Sequence, residues 1–136
     1  MLKTICYKSK VKPGLSILDT EALFQETQNN NNSLKITGVL IKKETVFFQI
    51  LEGESNRLDV LYEKIKNDSR HSNIVELLNT TVGQLSFNNF ETGYRIIQDV
   101  NSLYDLQNYL IKLEGAEAEH SATFLQMIED LLLSDE

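Results

Sequence analysis

With a single cysteine, Cys6, in 136 residues, the chain can close no intrachain disulfide and cannot build a thiol-based zinc site. That fits a reducing compartment. Positive charge is also scarce, since 13 Lys and Arg face 20 Asp and Glu for a net charge of -7. No basic cluster offsets this balance, so a phosphate-backbone binder is a poor reading and no nucleic-acid partner is expected. The apolar stretches fall far short of a membrane span, and the N-terminus lacks the basic segment and apolar run of an export signal. No membrane partner is expected, and the cytoplasm is the expected location. What the chain does have is ordinary: 41% hydrophobic and 24% charged residues, in a length that suits one domain with one core.

Periodicity organises the chain. Ile5 and Tyr7 share one face of a first strand and Thr4 and Cys6 the other, at the two-residue period of an extended chain. Pro13-Gly14 turns it. Ser16 followed three residues later by Asp19 has the spacing of a helix cap, and Leu23 and Thr27 continue at helical spacing. The helix is expected to end at Asn29-Asn30-Asn31-Asn32, which taken alone reads as a solvated loop. Two apolar runs, Ile36 to Ile41 and Val46 to Leu51, are joined by Lys42-Lys43-Glu44-Thr45 as a buried antiparallel hairpin. Leu58, Leu61, Tyr62 and Ile65 then mark a second helix, Val75 to Leu78 a strand, and Phe90 to Ile97 a last strand.

This order predicts an α+β fold: a ferredoxin-like sandwich, a five-stranded mixed sheet with two helices on one face, followed by two C-terminal helices. Ser102 and Asp105 repeat the capping spacing ahead of Leu103, Leu106, Leu110 and Leu113, and Gly115 marks a stop. Ala118, Ala122, Leu125, Ile128, Leu131 and Leu132 form a second apolar stripe. That stripe calls for cover, either by the sheet's free face or the preceding helix, or by a second copy of the chain. The boundaries expected are a domain over 1–98 and a helical extension over 99–136, packing on the sheet or at an oligomer interface.

Gln49 stands out because it sits between Phe48 and Ile50 and shares a buried face with Phe47 and Leu51. An amide left unpaired there would cost about 1–3 kcal/mol. Tyr7 raises the same question for its hydroxyl. Singly, each is satisfied more often by backbone or water than by a cofactor.

Taken together, the residues match a family. Tyr7-Lys8-Ser9, the segment from Asn31 ending Ile36-Thr37-Gly38, the run Phe47-Phe48-Gln49-Ile50-Leu51-Glu52-Gly53 and Asp68-Ser69-Arg70-His71 resemble BLUF domains over about the first hundred residues, with fitting separations. The resemblance implies a stand-alone blue-light photoreceptor holding a flavin non-covalently between the two helices, FAD by expectation, with FMN and riboflavin as alternatives. By similarity Asn31, beside Asn30, fixes the pyrimidine side of the ring, Gln49 reaches N5 and O4, and Tyr7 holds the Gln49 amide. On excitation Tyr7 would give an electron and then a proton, and the return would leave Gln49 rotated or tautomerised, shifting the spectrum to the red. Leu23, Thr27, Leu40, Phe47 and Ile65 match positions walling the ring. Lys64, Asp68, Arg70 and His71 match its polar end. The bland readings are core packing for the former group and a surface pair or capped turn for the latter.

The chain also departs from the family. Phe90 and Thr92 are read at the positions where many members carry a Trp and a Met that relay the signal, and no tryptophan exists anywhere. Tyr7 is then the main expected electron donor. About forty residues follow the expected domain, too few for an output enzyme, so no catalytic activity is expected. Output should pass to an unknown downstream protein partner, from a homo-oligomer of at least two chains. The alternative is a non-photoactive ferredoxin-like interaction module or small hydrolase.

Overall fold

The computed structural model describes residues 1–87, 94–115 and 120–133. In chain order the elements are β1 (Leu2–Val11), α1 (Ile17–Ser33), β2 (Thr37–Lys43), β3 (Val46–Glu54), α2 (Ser55–Lys66), β4 (His71–Val82), β5 (Tyr94–Ile97), α3 (Val100–Gly115) and α4 (Ser121–Leu133). The sheet order is β4-β1-β3-β2-β5, antiparallel except for the parallel β2–β5 pair. This is the expected five-stranded mixed sheet. The expected relay residues Phe90 and Thr92 and the stripe residue Ala118 lie outside the described residues.

β3 is central, and its alternation divides the core in two. Phe47 and Leu51 join Ile5, Tyr7, Leu40, Leu58, Leu61 and Tyr62 beneath α1 and α2. Phe48 and Ile50 instead join Cys6, Val39 and Ile41 with Leu106, Leu110, Phe124 and Ile128 of α3 and α4. Both faces of the strand are therefore buried, which accounts for an apolar run that only Gln49 interrupts between Val46 and Leu51. α4 lies over the sheet face away from α1 and α2, with the Lys43 ammonium donating to the carbonyls of Leu131 at 2.6 Å and Leu132 at 3.3 Å. A cation is favourable there because the last helical carbonyls concentrate negative charge.

Local chemistry sets the boundaries. The Ser16 hydroxyl accepts from the Asp19 amide at 3.0 Å, and the Asp19 carboxylate answers the Ser16 amide, a complete capping box. The four asparagines are not a loop. They belong to the last turns of α1, which ends where the amides of Leu34, Lys35 and Ile36 bond the carbonyls of Asn30, Asn32 and Asn31. Lys35, at φ 57°, provides the left-handed turn that allows this closure. Asparagine's weak helix propensity is outweighed by closure of carbonyls that would otherwise be orphaned. The cap of α3 also differs from expectation. Asp99 accepts from the Ser102 amide at 2.8 Å, so Ser102 lies one turn inside the helix rather than before it.

Gly38 permits a close approach. Its φ is 136°, and a Cβ there would collide with the Ile50 carbonyl oxygen of the neighbouring strand. Glu52 extends the influence of β3 further. Fully buried, its carboxylate accepts from the backbone amides of Ser86 at 2.7 Å and Phe87 at 3.0 Å. The segment after β4 is thereby held to the centre of the sheet, while Tyr109 of α3 donates to the Ser86 carbonyl at 2.6 Å.

Candidate functional site

The sheet places three side chains in a row. Tyr7 of β1 stands directly opposite Gln49 of β3, which in turn stands opposite Leu40 of β2. All three are buried on the α1/α2 side. The end of α1 brings Asn31 to them, 1% exposed. These residues line a cleft of about 130 Å³ that also contains Leu23, Thr27, Asn30, Phe47, Lys64, Ile65, Asp68, Arg70 and His71. The cleft therefore gathers every binding residue expected from the sequence, and Glu26 and Leu61 besides.

Burial first, then Tyr62, Asp68 and Cys6, push the Tyr7 hydroxyl well above the ordinary phenol range. It holds its proton at any physiological pH. Cys6, one residue earlier, points to the opposite sheet face, where its Sγ lies 3.6 Å from Met127 Sδ. Burial raises this thiol too, so it presents no thiolate, least of all to the cleft.

His71 joins two elements at the edge of the cleft. Its Nε2 lies 2.7 Å from the Ile65 carbonyl and its Nδ1 lies 2.7 Å from the Ser9 hydroxyl. A carbonyl only accepts, so Nε2 carries the proton and a neutral ring accepts from Ser9 at Nδ1. Both nitrogens thus have protein partners. Arg70 forms a clasp over the outer end. Its guanidinium donates to Asp68, at 2.6 Å from Nη2, and to Glu26 of α1, at 3.1 Å from Nη1. Hydrogen bonds from Arg70 hold the Asp68 carboxyl below the usual carboxylate range, and both acids hold Arg70 firmly charged.

Tyr94, on β5, was missed in the sequence. Its hydroxyl donates to Gln49 Oε1 at 3.4 Å, in a ring 1% exposed. Burial, with Tyr7 adding to it, raises this phenol well above its ordinary range, and the nearby Asn31 amide partly offsets the rise. Asn31 Nδ2 nonetheless has no hydrogen-bond partner among the described residues. The sequence signal was the aromatic at the start of the last strand, but contact with Gln49 requires β5 to cross beside β2, not beside its chain neighbours.

These features fit a flavin. A planar heterocycle with carbonyl acceptors along one edge suits apolar walls from Leu23, Leu40, Phe47 and Ile65, and the unpartnered buried Asn31 donor is what such an edge would satisfy. No group of His, Cys, Asp and Glu among the described residues could hold a metal ion. No helix among them is long and apolar enough to cross a membrane.

Known proteins supply the family. The family model for BLUF, sensors of blue-light using FAD, matches residues 2–93. The blue light- and temperature-regulated antirepressor BluF of Escherichia coli is 35% identical over 78 residues, 57% of this chain and 19% of the antirepressor. The photoactivated adenylate cyclase subunit beta of Euglena longa is 36% identical over 74 residues, 54% of this chain and 9% of the subunit. The chain thus spans a small part of these curated relatives. Among solved structures, Klebsiella pneumoniae BlrP1 with FMN and cyclic diGMP is 32% identical with a TM-score of 0.68, over 80% of this chain and 30% of that one. BlrB, a BLUF protein in its dark state, matches 97% of each chain at a TM-score of 0.69 and 24% identity, a likeness of fold. Fold and cleft together define an α+β domain that gathers a phenol, an amide and a helix-end asparagine on one cleft. The chain belongs to the BLUF family of blue-light sensors, which favours the photoreceptor over the interaction module or hydrolase.

Proposed function

We propose that this chain binds FAD non-covalently in the α1/α2 cleft and reports blue light through the bonding of Gln49. When bound, the flavin supplies the blue absorption and accepts an electron. Tyr7 supplies a protonated phenol opposite Gln49, a donor of an electron and then a proton. Gln49 supplies an amide with a donor and an acceptor end, which can exchange places without moving the backbone. Asn31 and Asn30 orient the ring edge, Leu23, Thr27, Leu40, Phe47 and Ile65 exclude water around it, and Lys64, Asp68, Arg70 and His71 serve the outer end. The observation that carries this reading is the convergence of buried Tyr7, Gln49 and the unpartnered Asn31 donor on one cleft.

On this reading residues 1–98 are the flavin-binding domain, and 99–136 the extension through which a downstream protein partner or a second copy reads the signal. The chain itself is proposed to catalyse nothing and to act in the cytoplasm. The decisive experiment is a light-minus-dark absorption spectrum after reconstitution with FAD. A reversible red shift is expected, absent in Gln49→Leu and in Tyr7→Phe although both remain yellow. A persistent shift in Gln49→Leu overturns the amide mechanism, and a protein that takes up no flavin overturns the whole reading.

A further inference from the structure

Three chemical facts meet at Tyr94. Its hydroxyl bonds the oxygen end of the Gln49 amide at 3.4 Å, its ring is fully enclosed, and Asn31 stands close by at the end of α1. An amide in an apolar pocket has two orientations that look alike in shape and opposite in hydrogen bonding. Something must choose between them. A hydroxyl can donate to Oε1 or accept from Nε2, and its choice is coupled to what else it bonds. A hydroxyl that donates to Oε1 can also accept, and the Asn31 amide is a donor beside Tyr94. If Gln49 turns its Nε2 toward Tyr94, the hydroxyl must accept and its own proton must swing to another acceptor.

We infer that Tyr94 is a second positioning residue for Gln49: its phenol selects the orientation with Oε1 toward β5 in the resting state and passes any reversal to Asn31 and the β5 edge. This rests on the proposed function above and adds a residue to it. Tyr7 and Tyr94 divide the work. Tyr7, opposite Gln49 on β1, is the proposed electron donor, whereas Tyr94 bonds the amide from β5, an edge strand joined to the sheet through β2 alone among the described strands. A reversal at Gln49 is therefore felt first at the strand that leads into α3.

The test compares wild type with Tyr94→Phe, which removes one hydroxyl and keeps the ring. Loss of one neutral hydrogen bond that discriminates the two orientations should change the dark-recovery rate by about three- to tenfold. The red shift should still form, because Tyr7 and Gln49 remain. Recovery within twofold of wild type overturns the role of Tyr94. If the variant does not fold, side-chain amide NMR of the flavin-free, glutamine-labelled wild type decides, since cross-relaxation from the Gln49 Nε2 protons should be weaker to Tyr94 than to Tyr7. The opposite order overturns the inference. Failure of the underlying reading is separately visible, as a wild-type protein with no light-induced shift at all.

Discussion

Replacing Glu52 by leucine tests how the sheet holds Ser86 and Phe87, shortly after β4. The carboxylate accepts two backbone amides, Ser86 at 2.7 Å and Phe87 at 3.0 Å, in a place with no exposure at Glu52 and none at Phe87. Each buried amide left without an acceptor costs about 1–3 kcal/mol, so the pair sets an upper range of about 2–6 kcal/mol. Removing a buried carboxylate also removes its own desolvation cost, which offsets part of the loss. A net destabilisation of about 2–4 kcal/mol is expected, a large fraction of a domain's typical 5–15 kcal/mol. Urea unfolding followed by far-UV circular dichroism reads it, with an unchanged slope showing that the variant still unfolds as one unit. Combining it with Tyr109→Phe, which removes the bond to the Ser86 carbonyl, should give less than the sum, because both anchor the same segment. If Glu52→Leu unfolds within about 0.5 kcal/mol of wild type, the two amides find water or other acceptors and the anchoring argument is wrong.

Two further outcomes follow from the geometry. Gly38→Ala places a methyl on the Ile50 carbonyl oxygen at a φ of 136° and should cost about 3 kcal/mol or more, read as a lowered melting temperature or loss to inclusion bodies; a fully stable variant would mean that β2 and β3 can separate freely. The Asp68 carboxyl is held below its ordinary range by Arg70, so the stability it contributes is complete above about pH 4 and is lost as pH falls through the lower folded-state value. Arg70→Gln should flatten that acid limb in a pH series of melting temperatures, and an identical limb in both proteins would show that the pair contributes nothing.

Much of the layout was legible in the residues because the relevant forces are local. The two-residue alternation of β1 and β3 assigns Tyr7, Phe47, Gln49 and Leu51 to one face whatever the rest of the chain does, since a strand must turn successive side chains to opposite sides. The capping box at Ser16 and Asp19 and the apolar face of α2 follow equally from short spacings. Resemblance then supplied the chemistry of the cleft.

Other features required the tertiary arrangement. Asn31 is a poor helix former by itself, yet closure of the α1 terminus by Leu34, Lys35 and Ile36 carries it through the last turns and buries it over the sheet. Glu26 lines the cleft on the same helix as Leu23, Thr27 and Asn30, but its pairing with Arg70, 44 residues away, which also holds Asp68, depends on how α1 meets the turn after α2. Glu52 was visible as one letter of a motif, but not as the acceptor for two amides 34 and 35 residues further on. Tyr94 meets Gln49 because β5 crosses to pair parallel with β2, a long-range arrangement with Tyr94 packed in the α1/α2 core and Ile97 in the α3/α4 core, which no local preference of the four-residue strand specifies. Spacing along the chain dictates which side chains share a face, while strand order dictates which faces meet, and the bonds around Gln49 depend on the second.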